Sequence, residues 1–267
     1  MLVGTVECDV GAELKAGGSR LFRAKVEYDG TEFFGFQVQV EQRTVQGEIE
    51  RALEAVTGAR TRVIGAGRTD RGVHARGQVI SFEARWRHSL ADLQRALNAT
   101  LKADVAILEL ELAPEGFHPR FSAKRRAYRY TVLRRFWRSP LERRTAWHVA
   151  QELDVSRMVE ASRCLVGTHD FSTFGRPPQG ENAVRSVFGA KWEAKGTRLF
   201  FDIEANAFLY RMVRSIVGTL VLAGSGQVSP GEVQSFLQAR DRSLIKQVAP
   251  AHGLCLMRVD YAAREGV

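Results

Sequence analysis

Cysteine is scarce. Cys8, Cys164 and Cys255 stand far apart in a chain of 267 residues. That spacing fits neither a disulfide framework nor a Cys/His zinc motif, and it points to a reducing, cytoplasmic setting. No apolar run approaches the roughly 18 residues needed to span a bilayer. The N-terminus also lacks a basic-then-apolar leader, so no membrane partner is expected. No cluster of acidic or histidine residues has metal-ligand spacing, which weakens a reading as a metal-dependent hydrolase. Acid is in deficit: 39 Lys and Arg face 30 Asp and Glu, a net charge of +9. Such a surplus favours a polyanionic partner, most often nucleic acid. The plainer alternative is a basic, soluble protein with no nucleic-acid role. Hydrophobic residues make up 45% of the chain, ample for one large core or two small ones.

The chain does have clear periodicity. Residues 22–28 alternate like a strand. Thr44 can cap a helix over 45–57, with Val45, Ile49, Leu53 and Val56 on its apolar face and Gly58 as its stop. Strands are predicted near 61–65 and 77–83, a helix over 90–100 behind a Ser89/Asp92 capping box, and a strand over 104–112. The order is β-α-β-β-α-β, the ferredoxin-like split motif. The second half repeats it with a strand at 126–133, a helix over 155–166 capped by Asp154, strands near 185–194 and 197–205, a helix over 208–223 and a closing strand at 254–261. A short helix is also expected behind Ser229-Pro230-Gly231-Glu232. The prediction is an α+β fold of two ferredoxin-like halves with antiparallel sheets. A loose tail covers 1–20, one half covers 21–113 and the other covers 114–267, with the boundary at Ala113-Pro114-Glu115-Gly116.

Three segments carry chemistry. Gly67-Arg68-Thr69-Asp70-Arg71-Gly72-Val73-His74-Ala75 sets one carboxylate in a glycine-bracketed turn. Glycines 65, 67, 72 and 77 offer the backbone freedom for a tight turn. A reachable, rigidly held carboxylate beside guanidinium groups suits a nucleophile; taken alone, an Asx-turn is the simpler account. His74 reads as a hydrogen-bonding loop residue. In the run from Ala123 to Tyr130, Tyr128 and Tyr130 share one face of a strand and Arg129 takes the other. Aromatics among arginines suit RNA, although Tyr130 reads better as core. In the third segment, Arg214 flanks an apolar stripe of Met212, Val213, Ile216 and Val217. A half-buried arginine there either snorkels to water or pairs with a carboxylate, and Asp70 is a candidate. The basic run from Arg134 to Arg144, with Phe136 and Trp137, reads as solvated surface or an RNA path.

Several separated blocks resemble the tRNA pseudouridine synthase A family. They are Tyr28-Asp29-Gly30 with Phe34-Gly35-Phe36-Gln37 and Thr44-Val45-Gln46, then Gly67 to Ala75 with Gly77-Gln78-Val79, then Phe121 to Tyr130. Gly167 to Phe171, Met212-Val213-Arg214 and Ala249 to Leu254 follow in family order. The resemblance implies an isomerase that turns uridine into pseudouridine at nucleotides 38–40 of the tRNA anticodon arm, without a cofactor, with its two halves around a central basic cleft, and as a homodimer. It implies Asp70 as nucleophile, Tyr128 packed on the target base, Arg214 paired with Asp70, Arg68 holding a flipped nucleotide, and Leu254 or Leu256 as an apolar wall. Arg71 departs from the family pattern, where alanine is common. The main rival is a noncatalytic RNA-binding protein of tandem ferredoxin-like domains, although an aromatic RNP strand is absent.

Overall fold

The computed structural model describes residues 18–262 apart from 178–179. Most of the expected tail, and Cys8, lie outside the described residues. Arg20 already belongs to a strand. Strand β1 (Arg20–Tyr28) buries Phe22, Ala24, Val26 and Tyr28, every second residue, as one-sided packing demands. Helix α1 (Val45–Thr57) starts where the Thr44 hydroxyl accepts from Gly47 N–H, and it stops at left-handed Gly58. It buries Val45, Ile49, Ala52 and Leu53, while Val56 packs at the edge of the core. The next strand, β2 (Ile64–Gly65), is only two residues long. β3 (His74–Ala84) is central and almost wholly buried. Helix α2 (Leu90–Thr100) carries the reciprocal Ser89/Asp92 capping box, and β4 (Val105–Leu112) follows.

The second half runs through β5 (Ala123–Arg134), β6 (Trp147–Val149), α3 (Val155–Ser162), β7 (Gly167–Asp170), β8 (Val184–Lys195) and β9 (Arg198–Ala205). It ends with α4 (Met212–Gly224), α5 (Pro230–Ala239) and β10 (Leu254–Tyr261). Helix α3 is shorter than expected because Arg163–Leu165 tighten into a 3-10 turn. Helix α4 begins four residues later than its apolar pattern suggests. Tyr210 exchanges backbone hydrogen bonds with Arg176, and Arg211 turns left-handed at φ 61°, so 207–211 cannot be helical. The short strands β6 and β7 have no counterpart in the sequence prediction.

The expected pair of antiparallel sheets is instead one continuous sheet. Its order is β4-β1-β3-β10-β5-β9-β8-β7, with β2 added to β3 and β6 to β5. The chain is thus a mixed α+β fold with a mostly antiparallel sheet. Its two antiparallel sets join where β10 runs parallel to β3, pairing Cys255 with His74 and Leu256 with Ala75. That junction sets Leu254, at the start of β10, beside the end of the Asp70 turn. Helices α1 and α2 pack together, and α3 packs on both α4 and α5. Among the described residues, no helix is long and apolar enough to cross a membrane.

Candidate active site

The Asp70 turn is pinned from several sides. Asp70 C=O accepts from Val73 N–H at 3.1 Å, closing a four-residue turn that needs Gly72 at φ 77°. Thr69 C=O accepts from Phe36 N–H at 3.1 Å, and Thr69 Oγ1 meets the Tyr28 hydroxyl at 2.8 Å. Gln78 Nε2 donates to Gly67 C=O at 2.8 Å. Gly30 lies so close to Val73 that any Cβ would overlap its carbonyl. These contacts explain why Tyr28, Gly30, Phe36 and Gln78 accompany the aspartate in the sequence: they form its mount. Of the four glycines expected to loosen the turn, only Gly72 has a positive φ.

Arg214 lies in the first turn of α4. Its Nε donates to Ala249 C=O at 2.8 Å, and its Nη1 meets Asp70 Oδ2 at 3.2 Å. The two side chains keep 15% and 22% of their exposure, so the pair is mostly sheltered yet open to a ligand. The structure thus brings Arg214 and Asp70 together. Tyr128 is buried beside it, edge-on to Phe208 with ring centroids 5.1 Å apart. Burial, with help from the neighbouring Tyr28 phenol and the Asp70 carboxyl, pushes its hydroxyl well above the usual phenol range, so the phenol is neutral. Tyr130 is core, as read from the sequence, and its hydroxyl donates to Pro250 C=O at 2.8 Å. Leu254 lines the cleft; Leu256 is buried at the sheet junction and does not.

The cleft has a volume of about 660 Å³, within the range of small-ligand pockets. Eight arginines and one carboxylate, Asp70, line it among the described residues. Arg68 lies exposed on its wall. Arg71 faces elsewhere, its guanidinium stacked 4.1 Å over the Phe34 ring. The basic run at 134–144 also lies outside this cleft. Part of it caps its own loop, as Arg135 donates to Arg138 C=O and Arg143 to Pro140 C=O. His74 is buried in a structural role: its Nδ1 accepts from Gly30 N–H and its Nε2 reaches Arg144 C=O at 2.7 Å.

Arg126 was not singled out from the sequence. It is nine-tenths buried, has no carboxylate partner among the described residues, and donates to three carbonyls: Asn206 at 2.6 Å, Arg120 at 2.7 Å and Ala66 at 3.0 Å. Burial lowers its pKa, as expected for a cation held away from water. Strand parity could have found it, since Arg126 shares its face with Tyr128 and Tyr130. Two free cysteines, Cys164 and Cys255, are half-buried.

The family model described as tRNA pseudouridine synthase matches residues 24–122 and 161–262. Proteins named tRNA pseudouridine synthase A are similar over most of the chain. The one from Bacillus licheniformis is 43% identical across 90% of this chain and 98% of its own length. That from Roseiflexus castenholzii is 45% identical across 89% of each chain. The Bacillus subtilis protein is 42% identical across 90% of this chain and 98% of its own. Likeness to solved structures is slight: a chain of an archaeal box H/ACA sRNP Nop10-Cbf5 complex gives a TM-score of 0.36 at 11% identity, covering 75% of this chain and 43% of that one. The Asp70 cleft thus belongs to a chain that is a member of the tRNA pseudouridine synthase family, and hence to an isomerase.

Proposed function

We propose that this protein converts uridine to pseudouridine in tRNA, at nucleotides 38–40 of the anticodon arm, with Asp70 as nucleophile and the target base flipped out of the stem. One observation carries the reading: among the described residues Asp70 is the one carboxylate lining an otherwise basic and aromatic cleft, and a pinned turn and Arg214 hold it. The reaction breaks the bond from ribose C1′ to uracil N1 and forms one from C1′ to C5. The C5 proton is lost and N1 gains one, so atoms and electrons balance within the nucleotide. Attack by Asp70 on the ribose carbon or on the uracil ring makes the same demand, an ionised and reachable carboxylate. Negative charge develops on the base as it leaves, and fixed guanidinium groups around the cleft stabilise it. The neutral Tyr128 phenol packs on the base and can assist proton transfer. Leu254 supplies the apolar wall, and Arg68, exposed on the rim, holds the extruded nucleotide. A paired base cannot reach so sheltered a carboxylate, which is why flipping is required. A cytoplasmic homodimer belongs to the same reading.

The test is to incubate purified protein with unmodified tRNA transcripts and map pseudouridine by carbodiimide labelling and primer extension. The expected result is a stop in the anticodon arm that vanishes with Asp70→Asn while tRNA still binds. Multiple-turnover activity in a clean Asp70→Asn preparation would sink the nucleophile, and tight binding with no pseudouridine in any tRNA would favour the noncatalytic binder.

A further inference from the structure

We propose that Phe121 is a stacking platform for the base next to the target uridine. The choice of an RNA base as its ligand rests on the function proposed above. Phe121 belongs to the connector between β4 and β5 and lines the same cleft as Asp70. Its ring keeps 75% of its exposure. A single exposed phenylalanine is ordinary on a protein surface. This one differs because its surroundings fix it in place without covering it.

Neighbouring residues build the mount. His118 Nδ1 accepts from the Arg120 N–H at 3.2 Å and from the Phe121 N–H at 3.3 Å. His118 and Ser122 close the turn reciprocally: the Ser122 N–H donates to His118 C=O at 2.9 Å, and the His118 N–H donates to Ser122 Oγ at 3.1 Å. The Tyr261 hydroxyl donates to Pro119 C=O at 2.9 Å, which ties the turn to β10. The His118 and Phe121 rings lie 4.3 Å apart, tilted by 32°. That contact covers one face at most, because a ring covered on both faces could not stay three-quarters exposed. The other face is apolar, rigidly placed and free to receive a base.

The platform is also tied to the mount of the nucleophile. A single nitrogen, Arg126 Nη2, donates to Arg120 C=O at 2.7 Å and to Ala66 C=O at 3.0 Å. It therefore joins the residue before Phe121 to the approach to the Asp70 turn. Flipping a uridine out of its stem leaves the neighbouring base without one stacking partner. An aromatic face in the same cleft replaces that partner, and aromatic rings are the surface on which proteins commonly hold unpaired RNA bases. Because the ring is fixed before RNA arrives, binding meets little ordering cost there. The Arg120 guanidinium, 5.6 Å from the ring centroid, adds a cation beside the stacked nucleotide.

The experiment measures equilibrium binding of an unmodified tRNA transcript to the full chain and to Phe121→Ala, Phe121→Leu and Phe121→Trp. The ring is exposed, so none of the three removes a core contact and all should unfold like wild type. Phe121→Ala should weaken binding about 5- to 150-fold, the usual worth of one stacked base. Leucine restores apolar bulk without a π face and should stay close to alanine, whereas tryptophan should restore wild-type affinity. No charge is lost, so the slope of log affinity against log salt should not change. A second arm uses ligated transcripts that lack one base on either side of the target uridine. Removing the stacked base should weaken wild type and leave Phe121→Ala unaffected. Undiminished affinity in Phe121→Ala, full rescue by leucine, or base-removal penalties equal in wild type and Phe121→Ala overturn the platform. Normal pseudouridine formation with undiminished affinity sinks the platform alone; a binding loss rescued by tryptophan, with no pseudouridine formed by wild type, sinks the catalytic reading alone.

Discussion

Replacing Arg126 with methionine tests the mount of the active site directly. The guanidinium joins three segments: Ala66 on the approach to the Asp70 turn, Asn206 between β9 and α4, and Arg120 in the connector before β5. A hydrogen bond from a charged donor is worth about 1.5–3 kcal/mol. Three of them sum to roughly 4.5–9 kcal/mol. Against this stands the cost of holding an unpaired cation away from water, several kcal/mol, which methionine would recover. The difference is about 3 kcal/mol of lost stability, or a Tm lower by about 6–12 °C for a chain of this size. Lysine keeps the charge, but its single nitrogen cannot span three carbonyls, so Arg126→Lys should fall between wild type and methionine. Thermal unfolding followed by circular dichroism gives the ranking. Amide hydrogen exchange at residues 66–70 should quicken in Arg126→Met more than exchange in α2, because the clamp acts on the turn. A Tm drop below about 2 °C, or a lysine variant less stable than the methionine one, would refute the clamp.

Three other outcomes follow from the same contacts. Arg214→Met removes the cation beside Asp70, and single-turnover pseudouridine formation should fall at least about 10²-fold; a rate within threefold of wild type contradicts a role for the pair. Gly30→Ala forces a methyl into the Val73 carbonyl, so the denaturant midpoint should fall by the equivalent of about 1–3 kcal/mol, and an unchanged midpoint counts against the close approach. Arg43 holds the Asp104 carboxyl below the usual range through hydrogen bonds of 2.6 and 2.8 Å. A carboxyl whose pKa is depressed by folding stabilises the protein above its unfolded value, about 3.9, and that contribution is lost as pH falls through the folded value. Below about pH 4 the Tm of wild type should therefore fall more steeply than that of Arg43→Met; parallel curves refute the linkage.

Much of this architecture is legible in the sequence because local rules and tertiary burial agree. The Ser89/Asp92 and Ser229/Glu232 boxes start their helices where capping chemistry requires. Alternation in β1 and β9 marks the buried face residue by residue. What escapes has no local signature. The parallel junction of β3 and β10 rests on two residue pairs about 180 positions apart in the chain. The late start of α4 depends on a backbone exchange with Arg176, which overrides an apolar pattern that reads as helix from 208. The site divides in the same way. Asp70, Tyr128, Arg214 and Leu254 stand in recognisable blocks, and all four line one cleft. Arg126 was hidden because it sits in a basic run that ordinarily means solvated surface.

The departures from local rules collect around that cleft. Arg214 occupies the first turn of α4, where the helix dipole disfavours a cation by about 0.3–1 kcal/mol. Arg211 adopts a left-handed backbone one residue before the same helix, and Arg126 is buried without an acid partner among the described residues. Each departure alone would be a defect, yet each is held by a specific contact: Asp70 and Ala249 for Arg214, three carbonyls for Arg126, and the Arg176 bridge beside Arg211. A fold that needed only stability would have little use for them, because apolar replacements of buried ionic groups are often neutral or better. Carbonyls orient guanidinium groups without cancelling their charge, and Asp70 is the sole acid lining the cleft among the described residues. The cavity is therefore rigidly mounted and strongly positive before any ligand enters. A polyanion is the ligand that relieves this, and stabilising charge on a departing base calls for the same preorganised field.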